Sequence, residues 1–157
     1  MSYEIVENAL VIQLETLSGI FAKGTVSRGD QLILNKGPER AVILLYADFE
    51  QQEFAMDSVK HVWSITLLVH VKYRSDAQVQ NDARDTRQAI IDRISTHPTL
   101  NRTAGVIGAL IVSGSATPQF EMARIGNNRY YVETLKCSVE EVVNTVYEDL
   151  IPETNFA

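Results

Sequence analysis

Between Val59 and Tyr73 the chain alternates. The odd positions Val59, His61, Trp63, Ile65, Leu67, Val69, Val71 and Tyr73 are mostly apolar. The even ones carry Lys60, Ser64, Thr66, His70 and Lys72, interrupted by Val62 and Leu68. A period of two marks a half-buried strand, with one face on a core. This one exceeds the usual strand length of roughly five to six residues. Just before it, Ala41–Phe49 is apolar on both alternating sets for most of its length. That pattern fits a central strand covered on both faces, or one whose second face meets another subunit. The two strands are expected to pair antiparallel, through a linker holding Phe54 and Met56 that is longer than a tight hairpin.

Helical spacing brackets this pair. From about Tyr3 to Leu17, Val6, Leu10, Leu14 and Leu17 form a stripe with Ile5, Ala9 and Ile12 beside it. Ser2 is the expected N-cap, and Glu4 sits in the first turn, where a carboxylate suits the helix dipole. So wide an apolar face predicts firm packing on a sheet. Ser75 followed by Gln78 matches the S-x-x-Q capping box and opens a second helix reaching about Ser95. Its inner stripe is Val79, Ala83, Thr86, Ile90 and Ile94. Asp82, Arg84, Asp85, Arg87, Asp92 and Arg93 make a charged outer surface, either solvated or a polar seam against a neighbouring copy. Pro98 ends the helix, because the residue before proline is pushed out of the α region.

The remaining segments are punctuated differently. Gly19, Gly24, Gly29, Gly37 and Pro38 make Ser18–Arg40 a long loop, with a short strand at Gln31–Leu34; loops this long are often functional, and in an assembly protein this one is expected among the contact surfaces. Three strands finish the domain: Gly105–Val112, Gln119–Ile125 after a turn at Ser113–Pro118, and Tyr130–Val143 after the hairpin signal at Gly126–Arg129. The expected fold class is α+β, a mainly antiparallel sheet of about four to six strands packed by two α-helices. It forms one domain over residues 1–146, with a C-terminal tail over 147–157.

Composition narrows the function. A chain of 157 residues with 45% hydrophobic and 22% charged residues fits one folded domain. Its net charge of −6 and scattered basic residues argue against a protein that grips nucleic acid. The lone Cys137 precludes an intrachain disulfide and, in phase with Leu135 and Val139, reads as a buried small hydrophobe. No signal-peptide pattern opens the sequence, and no apolar run nears the ~18 residues of a membrane span. The expectation is cytosolic synthesis without membrane insertion.

Candidate chemistry is sparse. His61 and His70 fall on opposite faces of one strand and His97 lies far along the chain, so no joint metal site is expected. Nucleophile-elbow, metalloprotease, Walker and dinucleotide motifs are missing. Glu140 and Glu141 point to opposite faces. Asp48 and Glu50 share a face without a partner to complete an acid–base pair, and Arg28-Gly29-Asp30 reads as a plain turn. No enzymatic activity, metal or cofactor is expected.

The order helix, glycine-rich loop, long strand pair, amphipathic helix and three-stranded finish resembles the tail terminator and tail-completion proteins of long-tailed bacteriophages. The residues carrying the resemblance are the first helix leading to Gly24, Ala41–Phe49, His61–Leu67, Val71–Tyr73, Asp76–Ser95, His97–Leu100, and the Gly126–Tyr131 hairpin leading to Glu133 and Leu135. The resemblance implies a six-fold homo-oligomeric ring on the head-proximal end of the tail tube. That ring stops tube polymerisation, meets a head–tail connector or neck protein, and lets DNA pass its lumen without specific binding. It implies a virion location after assembly in the host cytoplasm, and no catalytic residues. Aromatic, Met and Arg anchors favour interfaces. Phe21, Arg28, Phe49, Phe54, Met56 and Phe156 are therefore the interface candidates, with core packing or loop anchoring as the competing reading of each. The alternatives are another neck or head-completion connector, or a small ligand-binding or enzymatic α+β domain, which would need a concave polar pocket.

Overall fold

A computed structural model describes residues 2–116 and 122–144. The tail from Tyr147, Phe156 within it, and the start of the strand expected at Gln119–Ile125 lie outside these residues. Two helices, α1 (Ser2–Glu15) and α2 (Asp76–Thr96), accompany six strands: β1 (Val26–Arg28), β2 (Arg40–Ala55), β3 (Ser58–Lys72), β4 (Val106–Ala116), β5 (Ala123–Ile125) and β6 (Asn128–Asn144). The sheet order is β1-β2-β3-β6-β4, with β5 also on β6. Among the described residues only β1–β2 is parallel. The fold is α+β.

The alternation in β3 has the consequence its period demands. Ile65, Leu67, Val69 and Val71 are buried beneath the helices. Their cross-strand neighbours are Tyr46, Leu44, Val42 and Arg40 on one side and Cys137, Leu135, Glu133 and Tyr131 on the other. β3 is the middle of the sheet. The α2 stripe behaves as its spacing requires: Val79, Ala83, Thr86, Ile90 and Ile94 are all buried. The Ser75 hydroxyl accepts from the Gln78 N–H at 3.2 Å. The Gln78 side chain, however, donates to Asp82 at 2.9 Å rather than closing the capping box backward. His97, before Pro98, is the C-cap.

α1 begins one residue earlier than expected, with Ser2 inside the helix. It buries Val6, Ala9, Leu10 and Leu14 but leaves Ile5 and Ile12 exposed. Its apolar face is wider than the sheet it covers. The outer charges of α2 are also less solvated than a plain polar face. Arg93 donates to Gln13 of α1 at 3.1 Å, Arg40 meets Asp82 at 3.4 Å, and Arg87 meets the buried Glu133 at 3.0 Å.

Three segments depart from the sequence expectation. The Ser18–Arg40 loop contains β1, and Gln31–Leu34 is not a strand but part of a 3-10 helix, Gln31–Lys36. Asp30 caps that helix by accepting from the Leu32 N–H at 2.9 Å. Gly37 ends it at φ 64°, in the left-handed region that favours glycine. A short apolar run flanked by such caps has no period long enough to separate helix from strand. Second, no linker joins β2 to β3. β2 runs to Ala55, and Met56-Asp57 makes a two-residue connection. Glu50-Gln51-Gln52-Glu53 is poor strand sequence by propensity, and the long ladder to β3 overrides it. Third, Ser113–Ala116 is strand, not turn, because it stays paired to β6.

The 3-10 helix explains why the start of β2 is apolar on both alternating sets. Val42 and Leu44 join the main core, while Ala41 and Ile43 pack with Leu34 and Tyr130 in a second cluster on the opposite face. The Tyr130 hydroxyl donates to the Pro38 carbonyl at 2.9 Å. This cover also buries His70, which the alternation placed on the polar side of β3. Burial holds its imidazole pKa below the ordinary value, opposed by a hydrogen bond with the Leu68 carbonyl. The sign follows. An unfolded His70 takes its proton near pH ~6.5, while the folded one resists, so stability falls as pH drops below that value and levels off beneath the folded-state pKa. His70→Gln is expected to remove this part of the slope. Urea midpoints at pH 7.5 and 5.5, wild type against variant, check it; an unchanged slope would count against it.

Candidate assembly surface

Beyond Leu44, the last β2 residue paired to β1, β2 runs on as an open-edged arm beside β3, which itself stays paired to β6 as far as Asn144. A bulge after Tyr46 shifts the register, so Tyr46 opposes Ile65 while Asp48 opposes Ser64. Phe49 then faces Trp63, and Gln51 faces His61, on the helix side. These rings assemble into a ladder with Tyr3 from the start of α1. Tyr3–Tyr46 centroids are 5.0 Å apart, Tyr3–Trp63 5.2 Å, Phe49–Trp63 4.6 Å and Phe49–His61 5.1 Å. Edge and tilted aromatic pairs of this kind contribute about 0.5–1.5 kcal/mol each beyond area burial.

A carboxylate from β6 holds the ladder at Trp63 and His61. Glu141, only 4% exposed, accepts from the Trp63 indole N–H at 2.9 Å and lies 3.5 Å from His61 Nδ1. His61 Nε2 reaches Gln51 at 3.2 Å. The Tyr3 hydroxyl is buried nearby, and burial with the Glu7 carboxylate raises its pKa. These contacts tie α1, β2, β3 and β6 together at the root of the arm. Glu140, on the other face, pairs with Lys60 at 3.6 Å.

Apolar side chains on the arm are open to solvent among its charged and amide residues: Phe49 is partly exposed, Phe54 is 57% and Met56 91% exposed. Across the sheet, Ile107, Leu110 and Val112 of β4 are also exposed. A further apolar recess of about 320 Å³ runs between α1 and the 100–103 turn, lined by Ile5, Ile12, Leu100 and Thr103 among others. Of the interface candidates, Phe54 and Met56 line one recess at the β2–β3 turn, and Phe49 lies further back on the same strand against Trp63. Phe21 is buried in the main core. Arg28 lies 3.7 Å from Glu7, and Gly29 and Asp30 form the turn into the 3-10 helix. The β4 residues carry no aromatic or cationic anchor, and for that reason a search for such anchors passes over them.

Among the described residues, no group of three or more His, Cys, Asp and Glu is placed to hold a metal, and no helix is long and apolar enough to cross a membrane. Burial pushes the Cys137 thiol up to about 12. The folded protein should therefore leave a thiol reagent unconsumed at pH 8, while the urea-unfolded chain consumes one equivalent. Rapid reaction of the folded form would place Cys137 at the surface.

The fold and surface define an α+β protein built on one sheet, with apolar groups exposed at both of its sides. No family model matches the chain, and no curated protein does. Among solved structures, it is similar to a chain of a "Virion of native gene transfer agent (GTA) particle", at 11% identity and a TM-score of 0.46. The match covers 83% of this chain and 91% of that one.

Proposed function

We propose that this chain is a structural virion protein of a phage-like particle. Copies of it form a ring on the head-proximal end of the tail tube, end tube polymerisation and join the tail to the head connector. The observation that carries the reading is the far half of the β2–β3 pair: Phe54 and Met56 are exposed side by side at its turn, and Phe49 is exposed further back along β2. Exposed aromatic and Met side chains in a cluster are the composition of a docking surface. The order of elements resembles the tail terminator and tail-completion group, and the ladder behind the arm supplies rigidity rather than chemistry. A ring on the tail axis passes DNA through its lumen, and the net charge of −6 per copy limits sticking of the phosphate backbone.

Size exclusion with light scattering tests the reading, on the chain alone and with tail tubes from the same particle. A ring of several copies is expected, free or formed on the tube. A chain that stays monomeric at high concentration and also in the presence of tubes overturns it.

A further inference from the structure

The sheet path β2-β3-β6-β4 has two open sides. β1 covers only Val42–Leu44 of β2, so the arm half of β2 has no strand outside it among the described residues. The outer side of β4 likewise has no strand partner among them. An open edge offers a row of backbone donors and acceptors to another strand. The two edges differ in charge. β4, VIGALIVSGSA, holds no charged residue and no proline, and bulges after Val106 and Ile111 are its only blunting. The β2 edge carries Asp48, Glu50 and Glu53, and Asp48 holds the Phe49 N–H at 2.7 Å.

Strand direction adds a second constraint. The pairings β2–β3, β3–β6 and β6–β4 are all antiparallel, so β2 and β4 run in opposite directions. Rotation about an axis along the strands keeps those directions. A second copy's β2 brought beside β4 therefore arrives antiparallel, the more stable ladder.

We propose that β4 of one copy pairs with the arm half of β2 of the next, so that the sheet continues from subunit to subunit. The proposal rests on the ring reading above and names its contact. Two different surfaces meet, which is the heterologous geometry that closes into rings. Pairing β2 with β2 would set Asp48, Glu50 and Glu53 against their own copies. Pairing β4 with β4 stops at two subunits and leaves both arms open. An uncharged edge is the partner that an acidic edge accepts.

Leu110, Glu50 and Gln52 make the contact testable. Leu110 is 55% exposed and opposes Ser138, which opposes Ser64 and so Asp48. Glu50 and Gln52 lie on that same sheet face, one and two alternate positions further along. Leu110→Glu and Leu110→Lys remove the same apolar group and differ in sign. The Glu variant is expected to need about tenfold more protein than the Lys variant for half-assembly, read by light scattering under the conditions where wild type forms its ring. Adding Glu50→Lys and Gln52→Lys to Leu110→Glu should bring that concentration back to within about threefold of wild type. Circular dichroism of each variant confirms the native fold; should Leu110→Glu misfold, Val112→Glu and Val112→Lys replace the pair. Equal assembly of the Glu and Lys variants, or loss not restored by the β2 lysines, overturns the pairing while leaving the ring standing. A wild-type chain that never forms a ring overturns both.

Discussion

Leu67→Ala is expected to destabilise the folded chain by about 2–5 kcal/mol, the range for deleting a fully buried leucine with incomplete collapse of the cavity. Leu67 is fully buried in the middle strand, between Leu44 of β2 and Leu135 of β6, with both helices above. A strand held on both sides cannot shift to fill the space. For a domain of this size the loss corresponds to roughly 5–15 °C in Tm. Leu68→Ala is the control: it sits one residue along, on the opposite face, half-buried against the smaller cluster of Leu34, Ile43 and Tyr130. It should cost distinctly less. Urea unfolding of both variants checks the ordering, and equal losses would mean that the odd side of β3 is not the principal core.

That comparison also shows which parts of the fold the sequence carries openly. The apolar phase of β3 and the five-residue stripe of α2 repeat long enough to be read without tertiary information, and the stretch Ile65–Val71 and the α2 stripe took the buried environment that their periods require. The loop before β2 was opaque for the opposite reason. Its β1 strand spans three residues and its 3-10 helix six, too few for any period to emerge. The arm was hidden by composition, since polar residues such as Gln51 and Gln52 enter a strand only because β3 offers the complementary ladder. His70 was misplaced because alternation assigns a face but not what covers it. The aromatic ladder lay between these cases. Its members were visible singly, yet the Phe49–Trp63 approach depends on the register set by the bulge after Tyr46. One signal was present and unused: along β6 the buried phase reads Tyr131, Glu133, Leu135, Cys137, Val139, Glu141. Two carboxylates within an apolar phase require partners, because a buried acid without hydrogen bonds is costly. Arg87 serves Glu133, and the Trp63 indole N–H serves Glu141.

Glu141→Leu therefore has a consequence out of proportion to its conservative volume. The leucine fills the space but leaves the Trp63 N–H buried without its acceptor, at a cost of about 1.5–3 kcal/mol for the lost charge-assisted bond and the orphaned donor. Glu141→Gln keeps an acceptor oxygen in place and should cost less than about 1 kcal/mol. Trp63 is the sole tryptophan, so its emission reports this position directly. The Leu variant should show shifted emission and a lower urea midpoint, and the Gln variant should stay close to wild type in both. Equal behaviour of the two variants would sink the role assigned to the carboxylate. The effect should also reach the arm. Phe49 rests on the Trp63 ring at 4.6 Å, so loosening that ring loosens the part of β2 that carries the exposed apolar group. Amide exchange across residues 46–55 should accelerate in Glu141→Leu while the Ile65–Val71 half of β3 keeps its protection. Uniform acceleration along β3 would instead mean that the ladder belongs to the core and does not brace the arm.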